Sequence, residues 1–136
     1  MEVALELIDI YLNRPEQKDY ILHCAVDERD VPLGYVCFGP TPMTDGTYDL
    51  YWIAVDPKQQ RLGLGRQLMD FVEANLREQN GRLLMIETSS QPKYEPTRRF
   101  YLQRNYAEIA RIPDFYSVGD DRVIYCKKLR EEASSN

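Results

Sequence analysis

The 136-residue chain contains a single histidine, His23, and three cysteines, Cys24, Cys37 and Cys126. One imidazole and three widely spaced thiols do not make a local zinc-ligand pattern, so no metal is expected. An odd cysteine count at wide spacing argues against a disulfide frame. Each thiol sits in an apolar stretch, which fits reduced core residues and a cytoplasmic location. No apolar run approaches the roughly 20 residues that span a bilayer, and the N-terminus lacks the basic and then apolar pattern of a secretory signal. No membrane partner is therefore expected. Net positive charge is also missing: the formal charge is −5 and the pI about 4.9, which argues against a nucleic-acid partner because phosphate contacts need clustered Lys and Arg. There is no low-complexity tract and no solenoid repeat.

What is present is an ordinary globular composition, 43% hydrophobic and 29% charged, at a length that buries a core without staples. Residues 1–129 read as one domain and 130–136, ending in EEASSN, as a flexible polar tail. The positive charge that exists is grouped. Lys58, Arg61 and Arg66 bracket a glycine loop, and Lys93, Arg98 and Arg99 lie near a second helix start. An acidic chain with basic groups at such turns suggests one anionic ligand and one cationic one.

The apolar stretch from Val3 to Leu12 predicts a helix, closed by Asn13 and Pro15. Residues 19–40 read as a hairpin of two strands, and TYDLYWIAV, 47–55, as a central third. Leu64, Leu68, Phe71, Val72 and Leu76 recur at helical spacing as far as Asn80 and Gly81. RLLMIET, 82–88, is a short buried strand. A helix with Pro96 in its first turn runs to about Arg104, where Asn105 takes the left-handed conformation. YAEIARI and DRVIYCKKL close the chain, separated by a loop PDFYSVGD, 113–120. This order predicts an α+β fold, a mixed and largely antiparallel sheet flanked by helices.

The segment VDPKQQRLGLGRQL, 55–68, leaves a strand, crosses two glycines and enters a helix. A helix N-terminus presents unpaired N–H groups and partial positive charge, and glycine lets an anion approach them. A bare GLG reads equally well as a tight turn. A dinucleotide fingerprint would need glycine where Leu68 stands, and a P-loop would need GK followed by Ser or Thr. The wider pattern V-x-P-x-x-Q-x-x-G-x-G, carried by Val55, Pro57, Gln60, Gly63 and Gly65, resembles motif A of the GNAT superfamily, the acetyl-CoA-dependent N-acetyltransferases. FYLQRNY, 100–106, resembles that superfamily's FY-x-x-x-G-F phrase, with Asn105 for the glycine.

The resemblance implies a GNAT-like acyl-CoA N-acyltransferase fold and acetyl-CoA as co-substrate. Its diphosphate would rest on the stretch Gln60, Arg61, Leu62, Gly63, Leu64, Gly65 and Arg66, and its pantetheine arm along Ile53, Ala54 and Val55. The acceptor would be a primary amine, a small cationic amine or a protein N-terminus, and Tyr101 would return a proton to the leaving sulfur. Two carboxylates stand open as the base. Glu87 matches the position used by ribosomal-protein N-terminal acetyltransferases and Asp49 that of histone-type relatives. Each also reads as a solvated strand residue, and Tyr101 as a core tyrosine. Asp114, Asp120 and Asp121 are either acceptor-recognising or turn residues. Two departures accompany the match: Tyr94 stands where many relatives have asparagine, and the family's opening strand and helix are expected to be missing. That absence leaves a non-catalytic acyl-CoA-binding or regulatory domain as the alternative, and an unpaired edge strand that favours a homodimer.

Overall fold

A computed structural model describes residues 6–10, 21–58 and 63–130. Where a helix was expected between Val3 and Leu12, the chain forms a strand, β1 (Glu6–Ile10). A short apolar run has no period that separates helix from strand, and pairing decides the matter. β1 lies antiparallel to β2 (Ile21–Val26), with Ile8 opposite Cys24. β2 is therefore not an open edge, which removes the ground given above for a dimer through it.

β3 (Pro32–Pro40) and β4 (Thr47–Val55) continue the antiparallel meander. Helix α1 (Leu64–Glu78) then crosses to β5 (Leu83–Ser89), which runs parallel to β4. A 3-10 turn, Pro92–Tyr94, leads into α2 (Glu95–Gln103), and β6 (Ala107–Ser117) and β7 (Asp120–Lys128) complete the sheet. Its seven strands are ordered β1-β2-β3-β4-β5-β7-β6.

α1 buries Leu64, Leu68, Met69, Val72, Glu73 and Leu76 and packs on β3 and β4. Its stripe meets Val36, Phe38, Leu50 and Leu84 in one core. Each fully buried Leu or Val there contributes roughly 1.5–3 kcal/mol. The helix stops where Asn80 adopts φ 64 and the Gly81 N–H donates to the Leu76 carbonyl at 2.7 Å, closing the last turn. α1 thus starts at the glycine loop and ends under the sheet, so its N-terminus is fixed by the core.

Residues 113–120, expected as a loop, are instead the end of β6, a turn and the first residue of β7. Pro113 is accommodated because β6 is the sheet edge and its register with β7 shifts between Ile112 and Ser117, and a bulged edge does not need the missing N–H. Among the described residues no helix is long and apolar enough to cross a membrane.

Candidate active site

The site begins where the sheet opens. β4 and β5 are paired only from Thr47 opposite Leu83 to Leu50 opposite Ile86. Beyond that point β4 stays with β3, and β5 stays with β7 through Ser89 opposite Arg122. A bulge marks the parting: Cys37 faces Trp52 and Phe38 faces Leu50, so Tyr51 is the extra residue. A bulge bends and twists its strand, and here it lies at the point where β4 leaves β5. The β5-facing edge of residues 52–55 is left outside that ladder, and Ile53 and Val55 line the wedge.

Gly63 precedes α1 at φ 73, a conformation that favours glycine, and no side chain caps the helix. Gly65 has no such backbone demand. A methyl group there would lie 3.7 Å from Phe100 Cζ and 4.0 Å from Val55 Cγ2; all three residues line the wedge cavity, so that methyl would take up cavity space. The first-turn amides of Leu64, Gly65 and Arg66 have no intrahelical acceptor. Leu64 can offer only its amide, because its side chain is buried in the core. Gln60, Arg61 and Leu62 lie outside the described residues.

Two cavities occupy the wedge. The first, of about 960 Å³, is lined by Ile53, Val55, Gly63, Gly65, Phe100 and Asn105, with the cations Arg66, Lys93, Arg104 and Lys127. Among the described residues no carboxylate lines it. The second, of about 580 Å³, is lined by Leu50, Ile86, the aromatic residues Tyr51, Trp52, Tyr94 and Tyr116, and the carboxylates Glu87 and Asp120. Ile53, Lys93, Thr97 and Tyr101 line both. An anion-suited chamber and a cation-suited chamber thus meet at one phenol.

Tyr101 is 4% exposed, ringed by Phe100, Tyr106 and Tyr125. Burial pushes its pKa up to about 12, so its hydroxyl keeps its proton across the physiological range. Among the described residues that hydroxyl has no hydrogen-bond partner.

The two candidate bases separate. Glu87 extends past the last β4–β5 pair into the second cavity and forms an ion pair with Arg122. Asp49 sits within the paired part of the sheet between Gly39 and Met85, accepts a 2.7 Å hydrogen bond from Thr41 Oγ1, and lines neither cavity. Asp120 is buried at the second cavity, where Ser89 Oγ donates to Oδ1 and Gln91 Nε2 to Oδ2 at 2.9 Å. Asp114 and Asp121 brace the β6–β7 hairpin: the Asp114 N–H donates to Asp121 Oδ1 at 3.0 Å. That backbone donor, with Arg111 assisting, holds the Asp121 carboxyl below its usual pKa.

Of the second basic group, Lys93 reaches both cavities, whereas Arg98 clamps the carbonyls of Ser89 and Gln91 at 2.8 and 2.9 Å. Arg99 pairs with Glu95 on the surface. Sequence reasoning missed the group beside the first cavity. Glu73, 3% exposed on α1, accepts from Tyr106 Oη at 2.9 Å, Lys127 Nζ at 2.8 Å and Arg104 Nη2 at 3.3 Å. Burial, then the Glu73 charge, pushes the Tyr106 pKa far upward. A charged residue inside the apolar stripe of α1 was the available signal.

This wedge, with a helix N-terminus at its mouth, suits an acyltransferase, and comparison with known proteins supplies the class. Residues 3–106 match the Acetyltransferase (GNAT) family, and the chain belongs to it. The structure is similar to a protein from Desulfovibrio desulfuricans assigned to the GNAT acetyltransferases, with 47% identity over 82% of this chain and 70% of that one and a TM-score of 0.80. The fold is shared with an aminoglycoside 6'-N-acetyltransferase solved with coenzyme A (16% identity, 85% and 76% of the two chains, TM-score 0.74). It is also shared with the ribosomal-protein-S18-alanine N-acetyltransferase of Escherichia coli (18% identity, 89% and 76%, TM-score 0.74). A search of the curated proteins found no match.

Proposed function

We propose that this acetyltransferase moves the acetyl group of acetyl-CoA directly to a primary amine, with Glu87 as base and Tyr101 as acid. The observation that carries the reading is the pair of cavities, opposite in charge, that share Tyr101. The cationic chamber suits a diphosphate: the α1 amides and Arg66 meet its phosphates, and the free edge of residues 53–55 suits an amide-bearing arm. The space at Gly65 fits that assignment.

In the second chamber the carboxylates and aromatic rings suit a cation with an apolar body. An alkyl ammonium with a pKa near ~10 must lose a proton before it can attack. Glu87 takes that proton and passes it to solvent. The amine nitrogen then bonds to the acyl carbon as the carbon–sulfur bond breaks and sheds its second proton to the now free Glu87, while Tyr101, held neutral, hydrogen-bonds the sulfur and supplies its proton. Solvent reprotonates the phenolate. An amide N–H of residues 53–55 is the oxyanion donor.

The test is thiol release from acetyl-CoA with tyramine, spermidine and an alanine-initiated peptide as acceptors. Tyr101→Phe is expected to lower kcat by roughly 10²–10⁴ while calorimetric acetyl-CoA affinity is kept. Unchanged turnover would remove Tyr101 from the chemistry.

A further inference from the structure

We infer that Arg122 is a positioning residue for Glu87, fixing the carboxylate so that one oxygen is reserved for the acceptor amine. The inference rests on the reading of Glu87 as the base. Glu87 lies opposite Ile124, and Arg122 opposite Ser89, so the two stand diagonally on neighbouring strands and on one face. Arg122 Nε and Glu87 Oε2 are in ion-pair contact without an aligned hydrogen bond, so the link between them is one of charge. The guanidinium lies over the Phe115 ring, 5.0 Å from its centroid.

Phe115 is itself held in place by the hairpin. Its neighbour Asp114 takes φ 55, accepts from the Gly119 N–H at 2.7 Å and donates its own N–H to Asp121. Arg111 Nη1 closes this group on Asp121 Oδ2 at 3.3 Å. The bulge that made residues 113–120 look like a loop is thus what places the ring under Arg122. A planar, weakly hydrated guanidinium stacks and pairs at once, which an ammonium does not.

The Glu87 side chain is 47% exposed, and a carboxylate that free in solvent would sample several rotamers. Tied at Oε2, it keeps Oε1 for the acceptor amine. Lys93, which lines this cavity as Arg122 does not, lies 5.1 Å over the Tyr94 ring. Arg122 touches no reacting atom and acts only through Glu87.

The experiment is a double-mutant cycle on thiol release with the acceptor panel above, combined with ¹⁵N NMR of the arginine Nε–Hε groups. Arg122→Gln is expected to lower kcat about tenfold or more, with the KM for acetyl-CoA unchanged. In a Glu87→Gln background the same change should cost less than about twofold, because residues acting as a unit are not additive. Phe115→Leu keeps the ion pair and should give a smaller loss; Arg122→Lys should recover only part of the activity. The Arg122 Nε–Hε resonance, set by the nearby carboxylate charge and the ring, should shift in both Glu87→Gln and Phe115→Leu. Additive losses, or loss in Glu87→Gln with none in Arg122→Gln, would overturn the positioning role alone. Full activity in Glu87→Gln would overturn the base reading with it. An Nε–Hε signal insensitive to Glu87→Gln overturns the positioning role even without turnover.

Discussion

The cavity proposed for the cofactor takes its lining from two short stretches of chain, 53–66 and 93–105, joined by Lys127, whereas the one proposed for the acceptor is gathered from β4, β5, the 3-10 turn, α2 and the β6–β7 hairpin. The first works through backbone: a helix start, a strand edge, a glycine. The second works through side chains whose meeting depends on long-range register. A contact made by main chain leaves a spacing pattern in the sequence; one made by juxtaposed side chains leaves none. The two halves should therefore fail in different ways when altered.

The largest expected effect falls under the proposed cofactor cavity. Glu73→Ala strands Lys127 and Arg104 beside the cavity, and removing one partner of a buried ion pair costs about 3–5 kcal/mol; urea unfolding measures it. A loss below about 1 kcal/mol would mean that this cluster is solvated rather than buried.

High pH should act on the junction between the halves. Tyr101, with its pKa raised by burial to about 12 from 10.0, holds its proton more tightly folded than unfolded. The stability it contributes is complete below pH 10 and is lost as pH rises toward 12, roughly 3 kcal/mol in all. Tyr101→Phe should lose less stability over that window than wild type, read by circular dichroism at stepped pH.

Next come two changes that separate the halves. Gly65→Val fills the space beside Phe100 and should weaken acetyl-CoA binding about tenfold or more with little change in Tm. Trp52→Ala should raise the acceptor KM about fivefold, the scale of one cation–aromatic contact, and leave acetyl-CoA affinity alone. If each change moved both constants equally, the division into two chambers would be wrong. The smallest effect is expected from Asp49→Asn, within about threefold of wild-type kcat, because its carboxylate is engaged by Thr41 and lies outside both cavities.

This contrast also explains what could be read in the sequence. The strand at 47–55, the helix from Leu64 and the left-handed Asn105 were legible because each is set by local pattern or a single backbone demand. β1 was not, since ELIDI carries no decisive period and becomes a strand only by pairing with β2. The hairpin was not, since Pro113, Asp114 and Gly119 signal a loop wherever an edge bulge is not foreseen. For the same reason both Glu87 and Asp49 stayed open as the base, each a strand carboxylate. Only the end of the β4–β5 ladder, after Leu50 and Ile86, distinguishes the one that reaches a cavity.

The most direct test of the cofactor chamber is calorimetric titration of the chain with acetyl-CoA, CoA, ATP and NADH in parallel. Micromolar binding confined to the two CoA species is the predicted result. Equal binding of ATP or NADH, or no binding of acetyl-CoA, would contradict the assignment of the glycine loop and of the cavity built around it.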